Sequence, residues 1–113
     1  MSDHCIFCKI IRKEIPSNVV YEDDQALAFT DIHPAAPVHV LIIPKSHVES
    51  VADIPVGDPM VSALTERAVK IAAQLNLREG YRLVINNGDN GGQTVYHLHL
   101  HLLGGRFMAW PPG

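Results

Sequence analysis

His97-Leu98-His99-Leu100-His101-Leu102 reads as a β-strand with two chemically opposite faces. Side chains alternate across a strand, so Leu98, Leu100 and Leu102 point one way and His97, His99 and His101 the other. The leucine face requires an apolar partner, which makes the stretch part of a sheet with a core on one side. At about 3.3 Å of rise per residue, neighbouring imidazoles stand roughly 6.6 Å apart, close enough to act on one phosphate-sized group. The strand is expected to begin at about Thr94 and run to Leu103. The loop before it, Asn86 to Gly92, is rich in turn-forming Asn, Asp and Gly.

Working outward, Tyr81 to Ile85 forms a strand after Gly80. Val38 to Ile43, β-branched and bounded by Pro37 and Pro44, forms a buried one. Val19–Tyr21 and Ala26–Ile32 make a hairpin about the acidic turn Glu22-Asp23-Asp24. Asp58-Pro59 opens a long helix, in which Val61, Leu64, Ala68, Ile71 and Leu75 recur at intervals of three and four. This helix covers one face of the sheet. Cys5 to Ile11 forms a short helix that ends before Pro16 and carries both cysteines on one side. The last ten residues, 104–113, read as an extended tail without a core of its own.

The chain has 113 residues, 47% of them apolar, which suits a single domain with one modest core. Its formal charge of −3 offers no field for a polyanion, so no nucleic-acid partner is expected and any phosphate must be held locally. Met1 to His4 shows no basic region followed by an apolar stretch, and no run approaches the roughly 18 apolar residues of a membrane span. No membrane association is expected, and the expected location is the cytoplasm. Two cysteines three apart, Cys5 and Cys8, fit reduced thiols or a metal better than a secreted disulfide framework.

Three aligned histidines can form a polar stripe facing solvent, a metal patch or a catalytic row. A cupin-type metal barrel would place a glutamate shortly after a His-x-His pair, and Leu102, Leu103, Gly104 and Gly105 stand there instead. Nucleophilic catalysis fits better. Imidazole is largely neutral near pH 7, attacks phosphorus, and makes a phosphoramidate bond that water can break. A second imidazole can carry protons.

Nearly the whole chain resembles the histidine-triad, or HIT, proteins, and most closely their Hint branch of nucleoside phosphoramidate hydrolases. The resemblance runs through Ile6 to Pro16, Ala28 to Ile32, Ala36 to Lys45, and Gly91 to Arg106. It implies an α+β fold with a five-stranded antiparallel sheet and two helices, and two chains dimerising into a ten-stranded sheet. By resemblance, His99 attacks the α-phosphorus of a purine nucleotide to give a nucleotidyl-histidine that water hydrolyses. His101 and Asn86 hold phosphate oxygens, with Gln93 and Thr94 beside them. His39 and His97 fix the ring orientation and tautomer of His99 by hydrogen bonding. Ile6, Phe7, Ile10, Phe29 and Ile32 form the base pocket, and Asp31 receives the ribose hydroxyls. Thr94 stands where serine is usual, keeping the hydroxyl, and Thr30 where a histidine is often found, which bears on base preference.

Two thiolates at the Cys5–Cys8 spacing are half of a tetrahedral zinc site. The resemblance implies that His47 and His97 complete it, giving a structural zinc behind the catalytic row, and no catalytic metal is expected. It also implies that the tail brings Trp110 towards the partner's site. The leading expectation is hydrolysis of purine nucleoside 5′-phosphoramidates. Dinucleoside polyphosphate hydrolysis shares the same intermediate, and a non-catalytic nucleotide-binding module is the alternative outside enzymes. A nucleotidyl-transferase would need more chain for its second substrate.

Overall fold

A computed structural model of the protein describes residues 4–113. Met1 to Asp3, part of the amino-terminal stretch considered above, lie outside the described residues. The elements follow in the order α1 (Ile6–Ile11), β1 (Val19–Glu22), β2 (Ala26–Thr30), β3 (Val38–Pro44), a 3-10 turn (Val51–Asp53), α2 (Met60–Gln74), β4 (Tyr81–Val84) and β5 (Leu100–Gly104). The five strands form one antiparallel sheet in the order β1-β2-β3-β5-β4.

Period-two alternation divides the core between the two sheet faces. Ala26, Ala28, Val40, Ile42, Leu100 and Leu102, with Leu98, pack against Leu64, Ala68, Ile71 and Ala72 of α2. On the opposite face Leu27, Phe29, Leu41 and Ile43 pack against Phe7 and Ile10 of α1. The six residues of α1 cover this second face only in part. A cleft remains between α1 and the strands.

The last strand begins later than Thr94. The backbone N–H of Leu98 donates to the Val48 carbonyl at 2.7 Å, outside the sheet, and ladder pairing starts at Leu100. His97 and His99 therefore sit on a bent approach segment, and only His101 of the three is in the regular strand. Leucine and histidine nevertheless keep to opposite sides. At the end of α2, Leu75 is the C-cap and is exposed, and Leu77, two residues beyond, packs on the core in its place. Asp58 does accept from the helix start, at the N–H of Met60 (2.9 Å).

The hairpin turn is tied to α2 through Asp23. Its Oδ1 accepts from the N–H groups of Gln25 (2.8 Å) and Ala26 (2.9 Å), which closes the turn. Its Oδ2 accepts from Tyr21 (2.6 Å) and from Arg67 Nε (2.8 Å). The Arg67 guanidinium, and next the Tyr21 hydroxyl, hold this carboxyl well below the usual carboxylate range. A carboxylate with a depressed folded-state pKa stabilises the fold above its unfolded pKa of about 3.9, and that contribution is lost as the pH falls from there through the folded-state pKa. Asp23→Asn keeps the turn and removes the charge. It should cost about 1 kcal/mol at pH 7, as suits a partly hydrated pair, and in melts the gap from wild type should begin to narrow below about pH 4 and keep shrinking through pH 3 and lower.

Candidate functional site

The cleft beside α1 has a volume of about 330 Å³. Its lining includes Ile6, Phe7 and Ile10 of α1, Phe29 of β2, Asp31 and Ile32 of the following loop, Thr94, His99 and His101. All six residues expected to form a nucleoside pocket thus meet in one place. Phe7 and Phe29 are buried and meet edge to face at 5.5 Å. Ile32 is 86% exposed and forms a lip rather than a wall. Ile15 to Asn18, His33, Leu41 and Val95 also line the cleft. Sequence reasoning did not single them out as pocket residues. Leu41 was readable, since alternation along β3 puts it on the face of His39. The others sit on irregular segments whose direction no periodicity records.

Hydrogen-bond polarity assigns the protons in the histidine cluster, because a carbonyl oxygen only accepts and a backbone N–H only donates. His99 Nδ1 lies 2.7 Å from the carbonyl oxygen of His97, so Nδ1 carries the proton and Nε2 holds the lone pair. The His99 ring stands edge to face on Phe7 at 5.1 Å and 4.9 Å from the His101 ring. The Ala35 N–H donates to His39 Nδ1 at 3.0 Å, which leaves the proton of a neutral His39 on Nε2. That nitrogen faces His101 Nδ1 at 2.9 Å and donates to it. Neutral His101 therefore carries its own proton on Nε2. Among the described residues, His101 Nε2 is the buried side-chain nitrogen or oxygen without a hydrogen-bond partner.

Burial is the main cause that lowers the pKa of His39, His97, His99 and His101, bringing His97 and His101 to about 4. Neighbouring histidines add to the effect at His39, His97 and His101, and the Asp31 carboxylate opposes it at His39, His99 and His101. The row is neither a solvent stripe nor a set of imidazolium ions. Asp31 Oδ2 is 3.6 Å from His39 Nε2, too long for a hydrogen bond, and Oδ1 accepts from the His33 N–H at 2.8 Å.

Two expected contacts differ from the structure. His39 steadies His101, not His99. His97 steadies His99 through its main-chain carbonyl, while its ring turns away and donates Nε2–H to the Pro44 carbonyl at 2.8 Å. The physical reason is the bend before Leu100, which lets one residue present its carbonyl to the cleft and its ring to the interior. Gln93 also differs, because its side chain is buried and fully used. It accepts from Ser50 (2.8 Å) and Gly88 N–H (2.9 Å) and donates to the carbonyls of Glu49 (2.7 Å) and Val95 (3.1 Å). It braces the turn that presents Thr94. Asn86 is half-buried and outside the cleft lining. Val84 is level with His101 at the end of the ladder, and Asn86 follows two residues beyond it.

Behind the cleft, Cys5, Cys8, His47 and His97 converge. His47 Nδ1 and His97 Nδ1 are 3.1 Å apart, Cys8 Sγ lies 3.3 Å from His47 Nδ1 and 3.6 Å from His97 Nδ1, and Cys5 Sγ lies 3.4 Å from His97 Nδ1. Zinc bonds of about 2.0 Å to nitrogen and about 2.3 Å to sulfur at tetrahedral angles put nitrogens about 3.3 Å apart and nitrogen about 3.5 Å from sulfur. These four separations are close to those of such a tetrahedron, and all four ligand atoms lie within 4.8 Å of one another. The Pro44 carbonyl fixes the proton on His97 Nε2 and so bares Nδ1 towards the cluster. Cys5 Sγ also accepts the N–H of Cys8 at 3.3 Å, capping α1. The donor set fits a structural zinc, and four protein ligands leave no position open for a substrate.

The tail runs beyond β5 without entering this cleft, as the lining shows. Arg82 of β4 donates to the carbonyl of Ala109 at 2.9 Å, and its guanidinium lies 5.9 Å from the centre of the Trp110 ring, which is 79% exposed. Among the described residues no helix is long and apolar enough to cross a membrane.

The HIT domain family model matches residues 12–108. Over the full length of both chains the protein is 56% identical to an uncharacterized HIT-like protein of Synechococcus elongatus. It is 52% identical to a 14 kDa zinc-binding protein of Zea mays, across 96% of this chain and 87% of that one. A HIT family hydrolase from Legionella pneumophila has the same fold, with a TM-score of 0.94 at 53% identity, covering 97% of this chain and all of the other. With the histidine row, the sheet order and these matches in agreement, the chain belongs to the HIT family.

Proposed function

We propose that this protein is a hydrolase of purine nucleoside 5′-phosphoramidates, cleaving the P–N bond between a nucleotide and an amine through a nucleotidyl-histidine. The observation that carries the reading is the pairing of a lone-pair nitrogen, His99 Nε2, with an unsatisfied buried donor, His101 Nε2–H, on two neighbouring residues of the cleft lining. A buried N–H without a partner is costly, and a phosphate oxygen would satisfy it. The name of the Legionella relative, a hydrolase, agrees with this class of reaction.

The chemistry follows from these positions. The base packs against Phe7, Phe29 and Ile10, with Ile6 and Ile32 at the rim, and the Asp31 carboxylate accepts from the ribose hydroxyls. His99 Nε2 attacks the α-phosphorus as the P–N bond breaks, and the departing amine keeps the bond pair and takes a proton from water, leaving hydroxide. Phosphate oxygens accept from His101, with Thr94 and Asn86 beside them. Water then attacks phosphorus and gives up a proton that neutralises the hydroxide left by the first step, while the bond to Nε2 breaks and its pair returns to the ring, leaving the nucleoside monophosphate. Dinucleoside polyphosphates would react through the same intermediate with a phosphate leaving group.

The zinc site belongs to the same proposal. Bound there, zinc would fasten α1, which carries Phe7, to the segment whose carbonyl orients His99. The assembly is proposed as a homodimer in which the tail, with Trp110, meets the leaving group across the interface. Isologous pairing is the commonest symmetry for such chains, and β4 lies at a sheet edge.

Three measurements test these readings. Offered adenosine phosphoramidate and diadenosine tetraphosphate, the wild type should favour the first, and His99→Ala should lose at least about a thousandfold in kcat/KM; equal rates for the two proteins would end the nucleophile assignment. Elemental analysis should find close to one zinc per chain. Cys8→Ser should lose the metal and about 10 °C or more in melting temperature, whereas a zinc-free protein indifferent to this substitution would remove the metal centre. Truncation after Gly105 should alter the ranking of amine leaving groups while the melting temperature changes little, and an unchanged ranking would remove the tail from the site.

A further inference from the structure

The loop between β2 and β3 carries Asp31, Ile32 and His33 into the cleft wall and has no regular secondary structure. Its backbone directions must therefore be set by individual contacts. One residue in it, Ala35, is held at both of its backbone groups. Its N–H donates to His39 Nδ1 at 3.0 Å, and its carbonyl accepts from Arg106 at 2.9 Å, across 71 residues of sequence. The other terminal nitrogen of the Arg106 guanidinium donates to the carbonyl of Phe107 at 3.0 Å, which ties the side chain down at a second point.

Gly105 aims this arginine. The backbone there has φ of +88°, a left-handed conformation that glycine adopts freely, and a Cβ at this position would lie 2.9 Å from Pro37 Cβ. The chain thus turns sharply off the end of β5 and back onto the loop that contains Ala35. From Arg106 an unbroken series of contacts leads inward, through the backbone of Ala35 to His39 Nδ1, from His39 Nε2–H to His101 Nδ1, and so to the proton on His101 Nε2.

We propose that Arg106 is a positioning residue for the reaction, holding Ala35 where its N–H keeps His39 and His101 in their Nε2–H tautomers. The catalytic part of this inference rests on the proposed role of His101 towards phosphate. The direction of control follows from hydrogen-bond polarity. If the Ala35 N–H drifts from His39 Nδ1, that nitrogen can itself take the proton. His39 Nε2 then becomes an acceptor, His101 must donate from Nδ1, and the donor facing the cleft disappears. The sheet and both cores are untouched by such a change, because Arg106 is exposed and contributes to neither.

The test compares wild type, Arg106→Ala and Arg106→Lys by nitrogen NMR of labelled histidines and by steady-state kinetics. In the wild type, His39 and His101 should show a bare Nδ1 and a protonated Nε2. Arg106→Ala should keep the melting temperature, move both rings towards a tautomer mixture and lower kcat about fivefold, with a smaller change in KM. Arg106→Lys, which can still donate to the Ala35 carbonyl, should recover part of both effects. Unchanged histidine signals in Arg106→Ala would overturn the proposal. Shifted signals with an unchanged kcat would overturn its catalytic part. A wild type inert towards every phosphoramidate would instead overturn the proposed reaction, and the histidine signals would still decide whether Arg106 sets the tautomers.

Discussion

A main-chain carbonyl can accept a hydrogen bond and cannot donate one, and two such oxygens organise this protein. The His97 carbonyl takes the proton of His99 Nδ1 and leaves Nε2 bare towards the cleft. The Pro44 carbonyl takes the proton of His97 Nε2 and leaves Nδ1 bare towards two thiols and a second imidazole. One residue therefore serves two neighbours, its ring the cysteine–histidine cluster and its backbone the proposed nucleophile. Neutral imidazole is needed for both, and burial supplies it by penalising the charged form.

This arrangement depends on the segment before Leu100 leaving the sheet. Were residues 97–99 paired in the ladder, their carbonyls would point along the sheet towards neighbouring strands. The His97 oxygen could not then turn to the ring of His99. Pairing of the Leu98 N–H with Val48 draws the segment away and buries His97 against the cluster, while Leu98 stays in the α2 core. The buried Gln93 amide holds the preceding turn with four hydrogen bonds, which keeps Thr94 and the histidines that follow in place.

The two sheet faces divide the tasks. The longer helix seals one face with Leu64, Ala68 and Ile71, and that packing supplies most of the apolar core. The shorter helix covers the other face incompletely, and the gap it leaves is the cleft. Because α1 also carries Cys5 and Cys8, the pocket wall and the metal cluster are built on one element, so whatever fixes the cysteines fixes Phe7 against His99.

The residues that gather at the cleft were legible only through the resemblance to relatives, but the alternation of leucine and histidine over residues 97–102, the three-and-four spacing in α2 and the proline-bounded run of β3 were enough to read the element types and the face that α2 covers. These follow from local periodicity, which every residue in an element reports. The Cys5–Cys8 spacing announced half a metal site, and its other half lay in the resemblance to relatives. What only the tertiary structure decided is which nitrogen of each histidine holds a proton, that His39 serves His101, that Gln93 braces a turn, that Leu77 replaces Leu75 in the core and that Arg106 reaches Ala35. Each of these depends on a bend or a contact between segments far apart in the chain, and hydrogen-bond direction exists only once donor and acceptor have been brought together in space.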